Sequence, residues 1–176
     1  AVLLSGSYML YGRHRAAPPA AAFEAVRMEV PNVSGRMDNL RAAILRPQLG
    51  LLADRVARWG ERYRALEAGL RGVPGLALVE RPDEETYVGS SFQFLLPDWS
   101  AARVGALLAR VLARGVELKW FGGAEPVAFT SRYQHWGYAE PQHLPQTDRS
   151  LAGLVDMRVP LTFSVADCAQ IARIIR

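Results

Sequence analysis

The stretch Ser34-Gly35-Arg36-Met37-Asp38-Asn39-Leu40-Arg41-Ala42-Ala43-Ile44, followed by Gln48-Leu49, opens the longest helical pattern in the sequence. From Met37 onward, apolar side chains recur at helical spacing. They are Leu40, Ile44, Leu52, Val56, Trp59, Tyr63, Leu66 and Leu70. This stripe predicts one continuous helix of about 33 residues. Pro47 should kink it, because the proline ring clashes with the carbonyl four residues earlier, and Gly72 should end it.

Beyond that helix, strand-like and helix-like segments alternate. Strands are predicted at residues 76–80, 87–96, 116–121 and 157–161, and helices at 101–114, 147–155 and 165–175. Ser100 and Ser164 are the expected N-caps of two of these helices. The resulting order, β-β-α-β-loop-α-β-α, predicts an α/β fold with helices packed on a sheet. Because very long helices often bridge two lobes of a protein, we place a domain boundary near residues 50–70.

The composition suits one ordinary globular domain. The chain has 176 residues, of which 50% are hydrophobic and 22% charged, and this excludes a disordered or collagen-like chain. Residues 1–10 are apolar, but the stretch has no basic leader and is too short to span a bilayer. Since the chain begins at Ala1, we expect it to be the interior of a longer protein. The single cysteine, Cys168, favours a reducing, cytoplasmic setting, and we expect it to lie in the core.

The basic residues are almost all arginine. The net charge is +4, and Lys119 is the single lysine among 21 Lys and Arg residues. The arginines are spread along the chain and many alternate with acids, as in Asp54-Arg55. Surface ion pairs therefore explain them better than nucleic-acid binding, which needs a clustered basic face. Chemistry that requires an amine nucleophile has one candidate in this chain.

Three stretches, in this order, resemble the sugar aminotransferases of the DegT/DnrJ/EryC1/StrS family. Residues 34–49 resemble that family's segment in which Asn-aromatic-Arg-Met leads into a helix carrying Ala-Ala and Gln-Leu. Residues 116–138 resemble its small-domain strand and the aromatic-rich loop that follows. Leu144-Pro145, Val159-Pro160-Leu161 and the closing helix resemble its C-terminal ending. The resemblance extends from about Leu4 to Arg176.

The resemblance implies an enzyme of fold type I that uses pyridoxal 5'-phosphate (PLP). Such an enzyme has a large α/β domain, a long connecting helix and a small C-terminal α/β domain. On this basis residues 1–50 are a remnant of the large PLP-binding domain with the start of the long helix, 51–72 the connecting helix, and 73–176 the small domain. The family's Schiff-base lysine precedes the Arg-Met motif and would lie before Ala1. We therefore expect no catalytic residue in this chain, and no activity from it alone.

The activity that the resemblance implies is transfer of an amino group, with glutamate as donor, to a keto sugar attached to a nucleotide. The enzyme would be a cytoplasmic homodimer whose subunits share the active site, with no nucleic-acid or membrane partner. Two alternatives stay open: a PLP-dependent sugar dehydratase of the same family, and a non-catalytic binding or regulatory module.

Asn32, Ser34 and Arg36 are the candidate cofactor-binding residues. They lie on a turn that leads into a helix, where free backbone N–H groups favour a phosphate. By resemblance, the asparagine of the family's motif reaches the PLP phosphate of the neighbouring subunit. Ser34 stands in its place here, so either the Ser34 hydroxyl or the Asn32 amide would supply the hydrogen bond. Helix N-capping by Ser34 or Asp38 is a compatible alternative.

Lys119 and Trp120 are the candidate substrate-binding residues. By resemblance they lie on a small-domain strand at the edge of the active-site cleft, where an anionic sugar-nucleotide phosphate could pass. The alternative for Lys119 is an ordinary surface lysine on a strand.

The loop at residues 122–145 carries several aromatic and histidine side chains. Tyr133, Trp136 and Tyr138 are expected to pin the loop to its domain, with stacking on a nucleotide base as the alternative. His135 and His143 have no third ligand at a suitable spacing, so no metal site is predicted.

Overall fold

The computed structural model describes residues 37–125, 127, 130, 132–136 and 139–176. These form helices α1 (Asn39–Leu49), α2 (Leu52–Leu70), α3 (Ala101–Leu112), α4 (Pro145–Gly153) and α5 (Val165–Ile175), and strands β1 (Ala77–Leu78), β2 (Ser91–Leu95), β3 (Lys119–Trp120) and β4 (Leu154–Arg158). A 3-10 turn covers Tyr133–His135. After α2 the elements follow the predicted order, and the α/β fold class is confirmed.

Two compact units divide the chain. One comprises residues 1–50 and 136–141, and the other comprises residues 51–135 and 142–176. Helix α1 belongs to the first unit. The sheet and helices α2 to α5 belong to the second, which contains every strand of the described chain.

The prediction of one continuous helix from Met37 is wrong. Helix α1 ends at Leu49, and α2 begins at Leu52. Pro47 lies inside α1, where it cannot donate a backbone N–H to the preceding turn, and Gly50 follows with a low helix propensity. Together they interrupt the helix just after the proline. At the other end of α1 the Asp38 carboxylate accepts from the Arg41 N–H at 2.8 Å, so Asp38 is the N-cap.

The four strands form an antiparallel sheet in the order β1-β2-β4-β3. Along β2, Phe92 and Phe94 are buried while their neighbours are partly exposed, as the two-residue period of a strand requires. Val155 and Met157 of β4 join the same core. Side chains of α2, α3 and α5 complete that core, so these helices cover one face of the sheet.

The junction between α4 and β4 lies earlier than predicted. The helix was expected at 147–155 and the strand at 157–161, whereas α4 ends at Gly153 and β4 covers Leu154–Arg158. A Cβ atom on Gly153 would lie 2.6 Å from the backbone oxygen of Leu96. This close approach between distant segments sets the junction, and it has no local sequence signature.

Helices α2 and α5 pack tightly against each other. A Cβ atom on Gly69 would lie 2.5 Å from the Cβ of Ala172, so the glycine permits the close approach. Helix α5 begins where predicted, because Ser164 and Asp167 form a reciprocal capping box. Cys168 is buried, as expected, and burial raises the pKa of its thiol.

Candidate functional site

The candidate cofactor-binding residues Asn32, Ser34 and Arg36 lie outside the described residues. The described chain begins at Met37, directly after them, and enters α1 through the Asp38 cap. Their role in phosphate binding stays a prediction.

Lys119 and Trp120 lie on β3, as adjacent residues that point to opposite faces of the sheet. Trp120 pairs with Val155 of the core face, and its indole N–H donates to the Ala152 oxygen at 2.8 Å. Lys119 pairs with Asp156 on the other face. The structure therefore places the two candidate substrate-binding residues on opposite faces of the sheet. The indole N–H of Trp120 is already hydrogen-bonded to the protein backbone.

A polar row crosses the face of the sheet that carries Lys119. Lys119 lies opposite Asp156, and Asp156 lies opposite Gln93. Two residues along the same two strands, Ser91 lies opposite Arg158. Because directly opposed residues of antiparallel strands share a face, the sheet gathers an ammonium group, a carboxylate, an amide, a hydroxyl and a guanidinium on one surface.

Asp156 is the most unusual member of this row. Its exposure is 6%, and Asp is rarely buried without a partner. None of the hydrogen bonds formed among the described residues ends on its carboxylate. It borders a cleft of about 660 Å³, lined by Trp59, Ser90, Ser91, Gln93, Phe121, Asp156, Arg158, Val159 and Pro160. The sheet thus places a buried carboxylate at the edge of that cleft.

Helix α2 and the segment after β4 build the wall of this cleft. The Trp59 indole N–H donates to the Val159 oxygen at 2.9 Å. The buried Arg62 guanidinium donates to the Phe163 oxygen at 2.5 Å and to the Leu161 oxygen at 3.3 Å. These bonds cross about a hundred residues of sequence and hold the Val159–Phe163 backbone against α2. Trp59 and Phe121 then offer aromatic surface beside the polar groups.

A second polar cluster anchors the loop before α4. Asp148 accepts from the Tyr133 hydroxyl at 3.0 Å and from the Gln134 amide at 2.7 Å, and it pairs with Arg132 at 3.5 Å. The Gln134 hydrogen bond, with those from Tyr133 and Arg132, lowers the pKa of Asp148. Desolvation, followed by its bond to Asp148, raises the pKa of Tyr133.

The aromatic residues of the loop at residues 122–145 differ in their surroundings. Tyr133 pins the loop, since its oxygen also accepts from the Leu144 N–H at 3.3 Å. Trp136 is 40% exposed, and Tyr138 lies outside the described residues.

The histidines do not assemble a metal site in the described part of the chain. His135 contacts the Arg132 N–H and the Ala124 oxygen through its two ring nitrogens. No group of three or more His, Cys, Asp or Glu residues suited to a metal ion occurs within these ranges. None of the described helices is long and apolar enough to cross a membrane.

Sequence reasoning missed Asp156, Gln93 and Trp59. Asp156 did carry a signal, because it is the one charged residue in the apolar run Leu154-Val155-Asp156-Met157. Its place beside Gln93 depends on the pairing of β2 with β4, which the sequence did not specify.

One family model matches most of the chain. The family model for DegT/DnrJ/EryC1/StrS aminotransferases matches residues 11–176. No curated protein matches the chain. Among solved structures, the aminotransferase TlmJ from Streptoalloteichus hindustanus matches with a TM-score of 0.65 and 18% identity, over 88% of this chain and 42% of that one.

Two further structures show the same fold. 3-Amino-5-hydroxybenzoic acid synthase matches with a TM-score of 0.63 and 20% identity, over 80% of this chain and 38% of that one. DesI, determined in the presence of its TDP-sugar product, matches with a TM-score of 0.53 and 15% identity, over 72% of this chain and 32% of that one. The chain therefore spans less than half the length of these structures.

Proposed function

Since the chain belongs to the DegT/DnrJ/EryC1/StrS aminotransferase family, we propose that it is the C-terminal half of a PLP-dependent enzyme. This enzyme transfers an amino group from glutamate to a keto sugar attached to a nucleotide. The observation that carries the proposal is the family match over residues 11–176. The DesI structure with its TDP-sugar product supports a nucleotide sugar as the substrate class.

PLP would supply the electron sink for amino transfer. The donor set that this chain offers to its phosphate is the Asn32 amide, the Ser34 hydroxyl and the Arg36 guanidinium. Each can donate a hydrogen bond to a phosphate oxygen, and the set precedes a helix. The donor chemistry therefore fits the cofactor. The lysine that holds PLP would come from the segment of the enzyme upstream of Ala1.

The polar face of the sheet is the proposed binding surface for the sugar nucleotide. Asp156 and Gln93 can accept and donate hydrogen bonds to sugar hydroxyls, and Trp59 can cover an apolar face of the ligand. Lys119 on β3 and Arg158 on β4 supply positive charge to this same face of the sheet. That charge suits the diphosphate of a nucleotide sugar.

A homodimer is the proposed assembly, and the apolar side of α1 supports it. Leu40 is 71% exposed, Ile44 54% and Leu49 69%, and α1 contains no buried residue. Contiguous exposed apolar side chains mark interaction surfaces. We place the enzyme in the cytoplasm, in accordance with its reduced, buried cysteine.

The direct test is amino transfer by the complete protein that contains this chain. Nitrogen-15 glutamate and a nucleotide-linked keto sugar are supplied with PLP, and the sugar product is analysed by mass spectrometry. The proposal predicts a product that carries the heavy amine. Loss of a hydroxyl without nitrogen transfer would instead identify a dehydratase, and unchanged substrates across a panel of keto sugars would indicate a non-catalytic module.

Lys119 provides a test of the site within that enzyme. We expect Lys119→Ala to raise the KM for the sugar nucleotide about tenfold, since it removes one charge-assisted contact. The visible absorbance of bound PLP should persist, because Lys119 is not the cofactor's lysine. Loss of that absorbance would overturn this assignment.

A further inference from the structure

A second cleft lies on the helix-covered side of the fold. It has a volume of about 380 Å³, within the size range of small-molecule sites. Its lining consists of Val73, Pro74, Leu76, Leu96, Trp99, Arg103, Ala106, Leu107, Arg110, Ile175 and Arg176. None of these residues lines the cleft on the polar face of the sheet. The proposed function therefore leaves this cleft without a role.

The apolar part of the cleft is built around Trp99. The turn after α2 packs directly on the indole, because a Cβ atom on Gly75 would lie 2.9 Å from Trp99 Nε1. Gly75 has a φ of +78°, a backbone conformation that favours glycine. On the other side, the guanidinium carbon of Arg103 lies 3.7 Å from the centre of the Trp99 ring. The indole is thus fixed between a tight turn and a cation.

The charged side chains that line the cleft are all arginines. Arg103 and Arg110 are seven residues apart on α3, about 10 Å along the helix axis, and both are exposed. No lining residue carries a carboxylate side chain. Neither arginine takes part in the ion pairs formed within the described ranges.

Two exposed arginines elsewhere in the protein are paired with carboxylates. Arg41 pairs with Asp38 at 3.2 Å, and Arg71 pairs with Glu67 at 3.1 Å. These pairs neutralise their charges within one helical turn. The charge at the second cleft is not neutralised in this way, and it lies next to an apolar, aromatic wall.

We propose that the second cleft binds a small organic anion, whose carboxylate or phosphate group lies between Arg103 and Arg110. The apolar or aromatic body of the ligand packs against Trp99, Pro74 and Leu107. Arginine suits this role because its planar guanidinium donates two parallel hydrogen bonds to a carboxylate or phosphate. The apolar wall selects amphipathic anions over inorganic phosphate, which has no surface to bury there.

The test uses three probes of similar size with the complete protein. They are 4-phenylbutyrate, phenyl phosphate and the uncharged 4-phenylbutanol. Saturation-transfer NMR measures their binding. We expect 4-phenylbutyrate and phenyl phosphate to bind at least tenfold more tightly than the alcohol. Their binding should weaken as added salt screens the charge of the arginines. The relative affinity of the carboxylate and the phosphate shows which anionic group the site prefers.

Three variants locate the binding. Arg103→Gln with Arg110→Gln should weaken anion binding about tenfold or more, and Ala106→Trp should block the cleft from an exposed position on α3. Arg114→Gln is the matched control. Arg114 is exposed just after the C-terminal end of α3, close to Arg110 in sequence, and it does not line the cleft. Anion binding that survives both cleft variants, or equal binding of the alcohol, would overturn the proposal. PLP absorbance and amino transfer are measured separately, so failure here is distinguishable from failure of the proposed function.

Discussion

Asp156 is the residue on which the proposed substrate site depends most. It is buried on a central strand, it faces a cleft, and the described residues leave its carboxylate without a hydrogen bond. Carboxylate side chains are rarely this buried without a partner. A ligand in the cleft that donates hydrogen bonds to the carboxylate would supply one.

We predict that Asp156→Asn raises the KM for the sugar nucleotide about tenfold, because it removes a charge-assisted hydrogen bond. The KM for glutamate should not change. The unfolding temperature should not fall, since the amide keeps the shape of the side chain. Steady-state kinetics and thermal unfolding check both expectations, with the exposed Asp83→Asn as control. An unaltered KM for the sugar nucleotide would remove Asp156 from the site.

The hydrogen bonds around Asp148 predict that the stability of the folded protein depends on pH. Its hydrogen bonds lower the pKa of Asp148 in the folded protein. The stability that the ionised group contributes is therefore fully present above its unfolded pKa, near 4, and is lost as pH falls through the lower folded value. We expect Asp148→Asn to unfold at a lower temperature than the native protein at neutral pH. The difference should shrink below about pH 4. A difference that is the same at both pH values would contradict this assignment.

At the scale of elements, the contact between α2 and α5 depends on Gly69. Gly69→Val would force its side chain into Ala172 and should destabilise the protein by about 1–3 kcal/mol. Gly60→Ala on the same helix is the control, because its new methyl group meets the end of the flexible Arg64 side chain. The control should be neutral or stabilising by up to about 1 kcal/mol. Denaturant unfolding measures both, and equal effects of the two substitutions would disprove the close-packing argument.

The elements also show how far the sequence can predict this fold. Helix α5 begins and ends where expected, because Ser164 and Asp167 form a local cap and the apolar period is regular. Helix α3 begins as expected at the Ser100 cap, whose hydroxyl accepts from the Arg103 N–H. Both signals lie within a few residues of the helix they define.

Where the prediction failed, contacts between distant residues decided the outcome. The end of α4 depends on the approach of Gly153 to the Leu96 backbone. The assembly of the polar row depends on strand register, which places Gln93 beside Asp156. The family resemblance could therefore single out Lys119 as a candidate, but the sequence could not show which residues lie beside it across the sheet.

At the scale of the whole molecule, we propose that this chain supplies surfaces that act together with another part of the enzyme. Its apolar α1 face is exposed, and the proposed donor set for the PLP phosphate, Asn32, Ser34 and Arg36, contains no amine. The polar face of the sheet would bind substrate and position it, while the upstream half would hold the cofactor. We propose that substrate binding and cofactor attachment are divided in this way between the two halves of the enzyme.

Chemical trapping of the cofactor tests that claim most directly. Borohydride reduction of the complete, PLP-loaded protein fixes PLP to its lysine, and peptide mass spectrometry then identifies the modified residue. We predict a single modified lysine outside these 176 residues, with Lys119 unmodified. Modification of Lys119, or no specific modification at all, would contradict it.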